Sequence, residues 1–75
     1  MPLSTVNILS EIPGNVWKIE TKVGERVSEG DTLVILESMK MEVPVQSNCS
    51  GLVCEIFVQE GEFVNEGDPI LEIEL

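Results

Sequence analysis

Lys40 is the residue of this chain best placed to undergo chemistry rather than perform it. It stands between two methionines in the run Glu37-Ser38-Met39-Lys40-Met41-Glu42. Its primary amine, once deprotonated, can attack an activated acyl group and form an amide. A lysine amine has a reference pKa of about 10.4, so such an attack needs a base to free the amine. The groups that a catalytic centre of its own would need are missing. The 75 residues contain no histidine, no nucleophile-plus-base pair and no phosphate-cradling glycine pattern. Cys49 and Cys54, with no histidine and no second cysteine pair, offer no zinc set, so neither catalytic nor metal-ligating residues are expected. A chain of this size buries only about 60–65% of its unfolded surface. A walled cleft of about 300 Å³ or more would be hard to build in it. The expectation is a non-catalytic module.

Presenting that lysine falls to a short hairpin. Strong strand signals at Thr32 to Glu37 and Met41 to Gln46 leave residues 38–42 to reverse the chain. So short a connection takes a primed turn. With Met39 and Lys40 at its centre, both are expected at positive φ without glycine, a strained arrangement characteristic of functional positions.

The hairpin lies between two copies of one element. Residues 14–37 and 51–74 align without a gap at an offset of 37, with ten identities in 24 pairs, among them Gly14/Gly51, Val16/Val53, Gly24/Gly61, Gly30/Gly67 and Asp31/Asp68. Average residue usage would give roughly one or two by chance. Two copies are too few for a solenoid, which needs at least about three; they fit two half-sheets closed on each other about a pseudo-twofold axis.

Glycine-centred turns such as Val23-Gly24-Glu25, Glu29-Gly30-Asp31, Glu60-Gly61-Glu62 and Glu66-Gly67-Asp68 punctuate short apolar runs, and none of those runs holds a helical period. The expected fold is all-β: about eight short strands in a flattened antiparallel β-barrel with internal two-fold pseudosymmetry, its edges paired off by that symmetry. Alternation places Leu52, Cys54, Ile56 and Val58 on the inner face, with Leu71 and Ile73. The repeat then sends Trp17, Ile19, Val34 and Leu36 inward too. Leu33-Val34-Ile35-Leu36, apolar on both faces, is expected to be the more enclosed of the two equivalent strands.

Fourteen acidic residues face four basic ones, and after Lys40 there are eight acids and no Lys or Arg. Nucleic acid and anionic membrane are poor partners for such a surface; basic docking faces on larger proteins are good ones. The two cysteines, five apart and on opposite faces if they share a strand, are expected as free thiols in a reducing compartment. Neither a secretory signal nor a membrane span is read in the sequence. The expectation is one cytoplasmic domain over residues 1–75, monomeric in isolation.

The run "ESMKMEVPV" resembles the attachment motif of biotinyl (biotin carboxyl carrier) domains, a branch of the biotin/lipoyl attachment family. The turn signatures of both halves extend that similarity over residues 11–75. Ser38 stands where the commonest motif has alanine. The pattern is most similar to small free-standing biotin/lipoyl attachment proteins and to the urea-carboxylase carrier domain. The ungapped offset leaves no room for the thumb inserted in the bacterial fatty-acid-synthesis carrier. What the resemblance implies is a barrel-sandwich hybrid whose Lys40 carries covalent biotin, with Met39 and Met41 as the apolar shoulders read by biotin protein ligase. It further implies carboxylate transfer between biotin carboxylase and carboxyltransferase components. A lipoyl carrier, modified with lipoate at the same lysine, and an unmodified barrel acting as an interaction module are the competing readings.

Overall fold

Short runs of Val, Ile and Leu, cut by glycine turns, become eight strands in the computed structural model, which describes residues 4–75. Residues 1–3, at the start of the expected domain, lie outside the described residues. In chain order the strands are β1 (Thr5–Leu9), β2 (Gly14–Ile19), β3 (Arg26–Val27), β4 (Thr32–Ser38), β5 (Met41–Gln46), β6 (Gly51–Ile56), β7 (Phe63–Val64) and β8 (Pro69–Glu74). They form two four-stranded antiparallel sheets, β1-β8-β6-β3 and β5-β4-β2-β7. This is the flattened barrel expected from the sequence. Within the described strands proline occurs only where a sheet tolerates a missing N–H: Pro44 on the edge strand β5 and Pro69 at the first position of β8.

The offset of 37 maps one sheet order onto the other strand by strand, and it recurs in the hydrogen bonds. Gly67 N–H donates to the Ser10 carbonyl and Ser10 N–H to that of Asp68, at 2.8 and 2.9 Å; Gly30, Ser47 and Asp31 repeat the arrangement at 2.8 Å each. The correspondence therefore reaches Ser10 and Ser47, outside the segments 14–37 and 51–74, and pairs β1 with β5. Sequence comparison misses this because few identities survive there.

Gly24, Gly30, Gly61 and Gly67 all turn the chain at positive φ, and two of these turns share one construction. Glu29-Gly30 and Glu66-Gly67 put glycine at the position with φ near +90°, where a side chain would be strained. The aspartate that follows folds back: Asp31 Oδ2 accepts from Ser28 N–H at 2.9 Å and Asp68 Oδ2 from Asn65 N–H at 2.8 Å. Such bonds fix short loops without any helix.

Equivalent residues fill the core in pairs: Val16 with Val53, Val27 with Val64, Leu33 with Ile70, Val34 with Leu71, Leu36 with Ile73, all buried. Fully burying one such side chain is worth about 1.5–3 kcal/mol. Ser10 and Ser47, also buried, satisfy their hydroxyls on the carbonyls of Ile12 and Cys49.

Three expectations about facing need correction. Trp17 is 48% exposed and Leu52 and Cys54 are only half-buried, while Val16 and Val53 take the inner positions. The cause is a β-bulge. Register slips between Val16 and Lys18 on β2 and between Val53 and Glu55 on β6, so Trp17 and Cys54 are the extra residues and alternation resets across them. Ile19 and Ile56, beyond the bulge, pack against the core as expected. Secondly, Leu33–Leu36 is not more enclosed than its counterpart. Both strands are buried at three of these four positions and half-buried at the third, Ile35 in one and Glu72 in the other. Thirdly, Cys49 lies in the connection between β5 and β6, not on a strand with Cys54. Both cysteines are free.

Candidate functional site

Strands β4 and β5 pair through Leu36↔Val43, Glu37↔Glu42 and Ser38↔Met41. That register leaves two residues, Met39 and Lys40, to turn the chain. Their φ angles are 52° and 65°, and among the described residues they are the only non-glycine positions in the left-handed region. Positive φ at both central residues is the type I′ geometry, whose twist matches that of the flanking strands. Glycine or asparagine is the usual choice, because a Cβ in this conformation costs about 1–2 kcal/mol per residue. The sequence places long side chains there nonetheless, and the hairpin is held by the paired strands beneath it. The strain inferred from the shortness of the connection is present.

The tip is turned outward. Met39 is 92% exposed and Met41 65%, with Lys40 exposed between them. The methionines are therefore not core filler: two flexible thioethers flank an amine that incoming protein can reach. Glu37 and Glu42, one step back, face each other across the strands and are exposed. Like charges in that position destabilise a pair, so their placement is not explained by the fold. A surface cavity of about 470 Å³, larger than the size expected to be hard to build in so short a chain, lies between β1 and β5; it is lined by residues such as Leu9, Val43 and Gln46 and includes none of 37–42. A group joined to Lys40 would thus stand outside the barrel, at the tip of the paired strands β4 and β5.

Among the remaining titratable side chains, Cys54 is perturbed. Partial burial, then its hydrogen bond to the Glu72 carboxylate at 3.2 Å and the negative charge of Glu72 and Glu74, push its thiol above the ordinary value. That opposes thiolate chemistry. Among the described residues no cluster of three or more metal-ligating side chains occurs, and no helix is long and apolar enough to cross a membrane.

The feature that reading by simple alternation missed is the outward turn of Trp17. The signal was available in the repeat: the aligned residue is Cys54, and a tryptophan has no volume match there if both were core positions.

Comparison with known proteins converges on one group. The sequence model of a family described as "Biotin-requiring enzyme" matches residues 7–73. The Biotin/lipoyl attachment protein of Bacillus subtilis is 48% identical over 69 residues, covering 92% of each chain. The pyruvate carboxylase of the same organism is 43% identical over 68 residues, 91% of this chain but 6% of that one. Among solved structures, Kluyveromyces lactis urea carboxylase superposes with a TM-score of 0.89 at 36% identity, over 97% of this chain and 6% of that one.

Proposed function

The chain belongs to the biotin/lipoyl attachment family, and on that premise we propose that Lys40 is the point at which biotin is joined. It is a non-catalytic biotin carboxyl carrier domain. The observation that carries the assignment of the residue is the exposed amine at the apex of a strained two-residue turn.

The residues present fit the group. Biotin is held by an amide, so the domain must supply an accessible primary amine on a support stiff enough to aim it; it need not supply a pocket. In the joining step Lys40 Nζ, deprotonated by a base of the ligase, attacks the carbonyl carbon of biotinyl-adenylate. The C–N bond forms, the bond from that carbon to the phosphate oxygen breaks, and AMP leaves. Met39 and Lys40 are both exposed at the tip of the strands that carry them. Met39 and Met41 give the ligase apolar contact on both sides of the amine. When bound, biotin supplies carboxylate acceptance and release, chemistry that is the cofactor's own. The barrel's part is to hold the attachment point at high effective concentration near its partners. Those partners are a biotin protein ligase and the biotin carboxylase and carboxyltransferase components of a biotin-dependent carboxylase, in line with the similarity to pyruvate and urea carboxylases. Lipoate is the second reading, favoured by the relative named for both groups.

Intact mass after incubation with ligase, ATP and biotin tests the assignment. One biotinyl group is expected on the parent chain and none on Lys40→Arg, which keeps the charge but not the nucleophile. Biotin on the Lys40→Arg chain would refute the assignment; a lipoyl addition in native material would transfer it to the second reading.

A further inference from the structure

The pseudo-twofold axis supplies an internal control: any feature that the barrel itself requires should be present in both sheets. On the outer face of the β5-β4-β2-β7 sheet, Trp17 at the bulge and Lys18 beside it lie at the register of Ile35, and Ile35 is paired with Pro44. Trp17 is 48% exposed, Pro44 is exposed and Ile35 is half-buried. The positions 37 residues away on the other sheet are Cys54, Glu72 and Asn7, with Glu72 paired to Asn7. At this row one sheet is therefore apolar and the other, with Glu72 and Asn7, polar, on equivalent strands. Folding does not require the apolar row, and a half-exposed tryptophan in such a row marks a contact surface.

We infer that this row, Trp17-Ile35-Pro44, is the docking surface for the protein at which the Lys40 arm is used. The inference rests on Lys40 being the attachment point. The apolar row is on the sheet that ends in the Lys40 hairpin, and Ile35 lies three residues back from the end of β4 at Ser38, roughly 10 Å at strand rise. A partner seated there leaves the tip free to enter an active site. The next outer row toward the tip carries Glu37 and Glu42, the facing like-charged pair that the fold does not explain. A partner face with an apolar recess bordered by lysine or arginine would relieve that repulsion. A second copy of this chain would worsen it, since each carries a formal net charge of −10 and those glutamates would meet their own images. The occupant is thus a basic-rimmed protein surface, and electrostatic complementarity of that kind sets orientation and encounter rate.

The experiment compares the parent chain with Trp17→Ser/Ile35→Glu/Pro44→Asn, which gives this face the character of the other sheet. Both are biotinylated by ligase and then titrated as substrate for the purified biotin carboxylase and carboxyltransferase components of the host. The expected result is an unchanged ligase rate, an unchanged kcat and a KM raised at least tenfold with one of the two components. In the parent that KM should rise with salt. KM unchanged with both components overturns the inference while leaving the attachment site intact, and so does reversible dimerisation of the parent in sedimentation that the variant abolishes. Failure of the parent to take up biotin overturns the attachment site itself. Trp17→Phe alone, which retains the apolar contact, should keep KM close to that of the parent; a rise as large as in the triple variant would also count against the docking surface.

Discussion

At most positions in a folded protein glycine is less stable than alanine; at Lys40 the order should invert. Lys40 sits at φ 65° with its side chain in solvent, so truncating it removes almost no packing and the backbone term decides. Alanine retains the left-handed penalty of about 1–2 kcal/mol. Glycine escapes that penalty but gives the unfolded chain more freedom, a cost of about 0.4–1 kcal/mol. Taken at the middle of those ranges, the difference leaves Lys40→Gly more stable than Lys40→Ala by about 0.5–1 kcal/mol. In a chain of this size that corresponds to a separation of roughly 2–8 °C in Tm. Both variants lack the amine, so the comparison is free of any stabilisation by an attached group. Thermal unfolding followed by circular dichroism, on proteins made without ligase, reads the difference, and Met39→Gly against Met39→Ala should show the same order. An alanine variant as stable as its glycine counterpart at both positions would refute the strained type I′ turn.

Three other measurements examine the scaffold. Gly51→Ala should be clearly destabilising, by about 1–3 kcal/mol as overpacking costs go, because an added Cβ would meet the Glu74 carbonyl oxygen and come within 2.6 Å of Ile73 Cγ2. Its counterpart Gly14→Ala meets only the Glu37 carbonyl at 3.0 Å and should lose less; urea unfolding ranks the two. Val53→Ala should cost about 1.5–3 kcal/mol and Cys54→Ala less than about 1, since the bulge turns Val53 inward; the reverse ranking would remove the bulge. Cys54 should alkylate with iodoacetamide more slowly than a free thiol at pH 8, because burial and the Glu72 carboxylate raise its pKa. The folded thiol keeps its proton to higher pH than the unfolded one, so the stability it contributes is complete below the ordinary value of about 8.5. That contribution is lost as pH rises through the folded value. Alkaline titration should therefore destabilise the parent more steeply than Cys54→Ala.

The repeat explains both what was legible and what was not. Identities at the glycine turns survive because each turn needs φ near +90° or a folded-back carboxylate, requirements met by very few residue types. Strand interiors tolerate any apolar side chain of suitable size, so the kinship of β1 with β5 is recorded in hydrogen bonds and hardly at all in letters. Facing was misjudged at Trp17 and Cys54 for a related reason. Period-two alternation presumes an unbroken ladder, and the residue that breaks it carries no fixed identity.

By itself the sequence determined an all-β duplicated fold, a lysine between two methionines at a two-residue turn, and the absence of a histidine or nucleophile-plus-base pair with which to catalyse. Those are local facts, set by the backbone conformations that single residues allow and by residue types counted along the chain. Only the tertiary structure decided which of two alternating sets enters the core and that Trp17, Ile35 and Pro44 share one outer row. These depend on pairing between strands far apart in sequence, where one extra residue in a ladder turns every later side chain to the other side.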